Sequence, residues 1–214
     1  MRKNAPHSQI IHTRVDTLHT LGRYLASLLE ILMATLPTPT RYPKTLIALH
    51  WLTLLLIVAV YVLIEFRDIY PKGTPGRDAM KYWHFVLGLT IFALTFVRLV
   101  ARARVTMPMI SPPPPGWMDT LGRAAHFVLY AFLIGMPFLG WLTLSAKGAV
   151  IPFWGLELPS LLEVDKAVAK QLEEIHATVG TVGYALIGLH ASAALLHHFM
   201  MRDNTLRRML PGRE

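Results

Sequence analysis

The chain has 214 residues, 53% hydrophobic and only 16% charged, with a mean hydropathy of +0.42, a composition that argues against a water-soluble domain of this size. It contains no cysteine, which excludes disulfides, iron–sulfur clusters, thiolate zinc sites and covalent C-x-x-C-H haem attachment. The net charge of +8 forms no continuous basic stripe with interleaved aromatics, so nucleic-acid binding is not expected and the excess reads as basic loops beside a membrane.

Residues 1–40 form an N-terminal extension with Arg2, Lys3, Arg14 and Arg23, an apolar patch from Tyr24 to Leu36 too short to span a bilayer, and the breakers Pro37 and Pro39. It is expected to be an amphipathic surface helix or a disordered tail, and Met33 before Ala-Thr-Leu-Pro would equally serve as a start. From residue 41 to 214 four apolar blocks follow, at about 46–64, 83–100, 124–145 and 179–201. Each approaches the roughly 20 residues that cross a hydrocarbon core of about 30 Å. The expected fold is all-α, a membrane four-helix bundle.

Between the blocks, Phe66 to Tyr82 holds Pro71, Gly73, Pro75 and Gly76, and Ala101 to Arg123 holds the proline run Pro112 to Pro115; both read as turns over the membrane surface. The third connection, Ala146 to Ile175, carries Pro152, Phe153, Trp154 and Pro159 before a polar run, Glu163 to Glu174, expected to form a short interfacial helix. Arginines cluster in the first flank (Arg41), the second loop and its borders (Arg98, Arg102, Arg104, Arg123) and the tail (Arg202, Arg207, Arg208, Arg213), whereas the third loop is net acidic. The positive-inside rule then puts both termini in the cytoplasm and the acidic loop in the periplasm, as expected of a multi-pass protein of a bacterial inner membrane.

Polar side chains inside spans are costly and mark function. Here they are histidines: His50, His84, His126, His176, His190, His197 and His198 lie in or at the ends of the blocks. Neutral imidazole is an axial ligand for haem iron, and two per iron suit electron transfer. His176 and His190 are 14 residues apart, which at about 100° and 1.5 Å per residue puts both within roughly 40° of one helix face and about 21 Å apart, room for two stacked cofactors. Depth pairs His84 with His176 for an outer haem and His50 with His190 for an inner one. Gly88 and Gly180 each follow an outer ligand by four residues, where a missing side chain lets a porphyrin approach the backbone or helices pack closely. Arg98 and Arg102 suit propionate carboxylates. His197 returns to the face of His190 and could bind a quinone carbonyl or a propionate; His198 is the weaker candidate. His126 is read as a polar residue of the bundle, since no partner is expected at its depth.

These stretches resemble the bacterial cytochrome b561 family: Leu49-His50-Trp51, the His84 region, Val97-Arg98-Leu99, His126, and above all the run from His176 through Gly183-Tyr184, Gly188-Leu189-His190-Ala191, His197-His198 and Asp203-Asn204-Thr205-Leu206 to Met209-Leu210-Pro211. The resemblance covers about Arg41 to Pro211. It implies two b haems held by His50, His84, His176 and His190, and an activity in which superoxide gives an electron to the outer haem and ubiquinone in the membrane is reduced. Lys72, Arg77 and Lys81, with Lys147 and Lys166, are the cations available to steer the superoxide anion. Two other readings compete. One is a haem-bearing membrane anchor that takes electrons from a dehydrogenase or hydrogenase partner and passes them to quinone. The other, of a different class, is a transporter whose histidines bind a metal or relay protons.

Overall fold

The computed structural model describes residues 19–28 and 40–212. The chain divides into two units, residues 1–39 and 40–214. In the first, residues 19–28 are helical (α1); the rest of the extension, including most of the Tyr24–Leu36 patch and Met33, lies outside the described residues.

The second unit is a bundle of four long helices: α2 (Lys44–Glu65), α3 (Pro75–Ala103), α4 (Gly116–Ala146) and α5 (Lys166–Leu196). All four are long and apolar enough to cross a membrane. Their large apolar side chains point outward, with Leu55, Phe127 and Leu189 at 67%, 74% and 71% exposure. That inverts the pattern of a soluble bundle and fits a lipid solvent. Hydroxyls within the spans are satisfied locally: Thr53, Thr90, Thr95 and Thr143 each donate to the carbonyl four residues earlier, as helices in lipid require of a polar group.

The helices outrun the apolar blocks. Proline starts three of them: Pro75 stands in the first turn of α3, and Pro43 and Pro115 immediately precede α2 and α4, where a missing N–H costs nothing. The polar run expected as a separate interfacial helix is instead the first turns of α5. Asp165 caps that helix, its carboxylate accepting from the amides of Ala167 and Val168 at 2.8 and 3.1 Å. His84 and His176 therefore do not open their helices. They are the tenth residue of α3 and the eleventh of α5, preceded by more polar turns of the same helices.

Sequential neighbours pack, α2 on α3, α3 on α4 and α4 on α5, and short connections make the helices run up and down alternately. At one end, the hairpin end, β1 (Pro152–Phe153) and β2 (Leu156–Glu157) form a small antiparallel ribbon, a local departure from the all-α reading. Ile151, just before β1, is buried with Leu89 and Leu144, and Phe85, Trp141 and Phe153 pack around them. The Trp154 indole donates to the Thr90 hydroxyl at 2.9 Å, which ties the ribbon to α3.

At the opposite, terminal end, α5 passes into a π turn over His197–Met201 and stops at Arg202, whose φ of +55° is left-handed. The segment beyond forms a clasp. Asn204 exchanges hydrogen bonds with Ser111 in the α3–α4 loop, the Trp51 indole of α2 donates to the Met209 carbonyl at 2.8 Å, and buried Arg208 donates to the Pro108 carbonyl. Asp203, 3% exposed, accepts from His197 Nδ1 at 2.5 Å and the Thr205 amide at 2.8 Å.

Burial alone would push the Asp203 carboxyl up, but the hydrogen bonds from His197 and Thr205 outweigh it and hold the group below its ordinary value. A carboxylate lowered in the folded state contributes stability above its unfolded pKa of about 3.9, and loses it as pH falls through the lower folded value. The Asp203 carboxylate therefore stays ionised between pH 5 and 8, and acid should loosen the tail after Arg202, read as faster proteolysis, once pH falls below about 3.9. Asp203→Ala, which strands two half-buried donors, should raise tail cleavage between pH 5 and 8.

Candidate functional site

The four histidines assigned as haem ligands come together in two pairs across the bundle. His50 of α2 and His190 of α5 have ring centres 6.3 Å apart at an interplanar angle of 67°. His84 of α3 and His176 of α5 have ring centres 6.3 Å apart at 72°. A metal–imidazole bond is about 2 Å long and a ring centre lies roughly 1.1 Å behind its bonding nitrogen, so two imidazoles flanking one iron have centres about 6.2 Å apart. Both pairs have that spacing, and neither pair is in direct hydrogen-bonded contact.

Each pair is oriented by neighbours. His84 Nδ1 donates to the Val60 carbonyl of α2 at 3.0 Å, which fixes the tautomer and leaves Nε2 with a free lone pair, as a metal-binding imidazole needs. His176 lies against α4 where a side chain is missing: a Cβ at Gly140 would stand 3.3 Å from its Cε1. Pro137 interrupts the hydrogen bonding of α4 one turn earlier. Gly88 has open space where a Cβ would be, and a Cβ at Gly180 would meet only the tip of Met136 at 3.5 Å. Gly180 also carries the carbonyl that accepts from Tyr61 at 2.7 Å.

Around the other pair is a cavity lined by His50, Thr53, Arg98, His126, Tyr130 and His190, among others. Arg98 donates to His50 Nδ1 at 2.9 Å. The guanidinia of Arg98 and Arg102 lie 5.7 and 5.8 Å from the centre of the Tyr130 ring. Among the described residues no group of three or more histidine or acidic side chains is arranged to hold a metal ion directly, so the paired imidazoles suit a metal that brings its own equatorial ligands.

This chain matches the family model of prokaryotic cytochrome b561 over residues 41–212. The chain belongs to the prokaryotic cytochrome b561 family. It is similar to cytochrome b561 homolog 1 of Escherichia coli K12, 36% identical over 81% of this chain and 99% of the relative. It is also similar to the probable superoxide oxidase CybB of Yersinia pestis, 34% identical over 80% of this chain and 96% of that protein. Cytochrome b561 homolog 2 of E. coli K12 is 28% identical over 81% of the chain. The protein is accordingly a multi-pass, b-type haem-binding membrane cytochrome of electron transport.

Within this b561 bundle some residues stand elsewhere than the sequence suggested. His126 has a neighbour at its depth after all: its ring centre is 5.5 Å from that of His190, edge to face. The depth argument missed it because α4 begins at Gly116 and runs antiparallel to α5, which carries His126 level with His190. Its Nδ1 donates to the Gly122 carbonyl at 2.6 Å. Of the cations proposed for steering, Arg77 is 8% exposed, ion-paired with Asp68 and donating to the Tyr70 carbonyl, so its charge is already answered. Lys81 stands 3.9 Å from Asp78 and Lys147 2.8 Å from Glu173; Lys72 is exposed.

Sequence reasoning overlooked Arg67 as a steering candidate. It donates to the Ile64 carbonyl at 2.8 Å, one turn beyond the Val60 carbonyl that holds His84, and so sits one turn toward the hairpin end from that imidazole. Tyr130 was overlooked too, although its spacing of four from His126 put both on one face of α4. His197 is committed to Asp203 through Nδ1, and His198 Nδ1 is buried without a partner.

Proposed function

We propose that this cytochrome holds two b haems, one between His84 and His176 and one between His50 and His190, and oxidises superoxide at the hairpin end while reducing ubiquinone in the membrane. The observation that carries the reading is the matched 6.3 Å spacing of the two imidazole pairs. When bound, haem b supplies reversible one-electron storage. In the net reaction two superoxide anions each lose one electron to become dioxygen, and one quinone gains both electrons and two protons to become quinol. The relative named as a probable superoxide oxidase supports the choice of donor. The hairpin end faces the periplasm and both termini the cytoplasm, in keeping with the arginines gathered at the terminal end.

The protein's own groups divide the work. His84 and His176 present lone pairs in a site walled by Gly88, Gly140 and Gly180; Lys72, Lys81 and Arg67 attract the anion near His84. His197, held by Asp203 through its Nδ1–H, presents its Nε2 lone pair to a hydroxyl of the quinol product, with His198 beside it. Superoxide consumption coupled to quinol formation should slow several-fold as salt shortens the Debye length from about 10 Å at 0.1 M to about 3 Å at 1 M. Lys72→Gln should slow reduction by superoxide, and His197→Ala should slow only quinol formation. Stopped-flow absorbance separates the two steps. Reduction of the cytochrome no faster than spontaneous dismutation of superoxide, with rapid reduction by a membrane dehydrogenase, would replace this reading by the anchor reading.

A further inference from the structure

Tyr130 is a polar group in an unusual position. It lines the cavity between His50 and His190, and its hydroxyl is buried without a hydrogen-bond partner. A buried donor left unpaired costs roughly 1–3 kcal/mol, and one that lines a cavity, as Tyr130 does, points to a ligand that completes it. The guanidinia of Arg98 and Arg102 lie on the same ring, and the ion pairs among the described residues involve neither of them. Two cations and a neutral donor thus converge within the bundle with no carboxylate to meet them.

We propose that Tyr130 is the neutral hydrogen-bond donor of a carboxylate seat, completed by Arg98 and Arg102, that receives the propionate edge of the haem held between His50 and His190. The assignment rests on the reading that these two histidines hold a haem. Arg98 supplies an independent reason. It now donates to His50 Nδ1, but an imidazole that gives its Nε2 lone pair to iron carries its proton on Nδ1 and can no longer accept there. Arg98 must then find another acceptor, and a carboxylate in the adjoining cavity is the group of matching charge and shape. His126 stands outside the seat. Its N–H is given to Gly122, so the neutral ring offers the cavity an acceptor and no donor. Its 5.5 Å spacing from His190 matches the roughly 6.2 Å between two imidazoles on one iron less well than the 6.3 Å of His50.

The test compares haem with haem dimethyl ester, in which both carboxylates are blocked, during reconstitution of the full-length apoprotein in membranes. A His84→Ala background reports the remaining site alone. The parent should prefer haem to its ester, and Tyr130→Phe should reduce that preference by about tenfold, as expected for loss of one hydrogen bond to a charged acceptor. Arg102→Gln should reduce it likewise, and in both variants the affinity for the ester should be unchanged. In the purified holoprotein with all histidines present, Tyr130→Phe should shift the reduction potential of one haem and leave the other alone. An unchanged preference in both variants, with haem still bound, would overturn the seat while leaving the haem reading intact. Failure of the parent to bind haem between His50 and His190 would overturn both.

Discussion

Replacing His190 by alanine should leave one haem per chain, against the two proposed for the parent. The imidazoles of His50 and His190 face each other across 6.3 Å, so removing one leaves a single axial ligand and, in its place, an apolar void beside Leu54, Ile57 and Ile187, which line the same cavity. His50→Ala should have the same effect. His126 should not substitute for His50, because its ring packs edge to face against His190 at 5.5 Å, closer than two imidazoles on one iron stand. Double replacement of His50 and His126 should thus lose no more haem than His50→Ala. His84→Ala and His176→Ala should instead remove the other haem. A reduced-minus-oxidised spectrum with haem counted per polypeptide measures all of these, and unchanged content in every single variant would remove the ligand assignment.

Gly183→Ala should destabilise the bundle by about 1–3 kcal/mol, the usual effect of overpacking a close contact, and should weaken haem retention between His84 and His176. Gly183 is one of the buried residues of α5. A Cβ there would run into the Tyr61 hydroxyl and the Phe132 ring. Tyr61 cannot yield freely: it donates to the Gly180 carbonyl and packs at a tilt against Tyr184 at 4.4 Å, and Tyr184 in turn donates to Glu65 at 2.8 Å. Moving Tyr61 therefore loosens the tie between α2 and α5 one turn from His176. If that account holds, adding Tyr61→Phe to Gly183→Ala should recover part of the loss by removing the obstructing oxygen, even though Tyr61→Phe alone sacrifices a hydrogen bond. Thermal midpoints of the four proteins in detergent provide the double-mutant cycle, and simple additivity would show that the two residues do not meet.

Much of this was legible in the chain itself. Apolar blocks of bilayer length announce spans because lipid leaves the backbone no partner but its own helix, and the four-helix bundle follows from counting them. The 14-residue interval between His176 and His190 survives folding unchanged because α5 is continuous through both. Helix periodicity needs no tertiary information. The family, too, lies in contiguous motifs, above all the run from His176 to Pro211.

Other features arise only when helices meet. Helices extend beyond the apolar blocks, by 13 residues where α5 begins at Lys166 and its block at 179, because Pro75, Pro115 and the Asp165 cap start helices in polar sequence where hydropathy carries no signal. That His126 stands level with His190 depends on where α4 begins and which way it runs. The neutralisation of Arg77 by Asp68 and the unmet hydroxyl of Tyr130 are likewise properties of side chains brought together from separate turns or helices. Sequence periodicity records the face of one helix and its depth along one axis; which polar groups are satisfied depends on distances between helices, and those exist only once the bundle is packed.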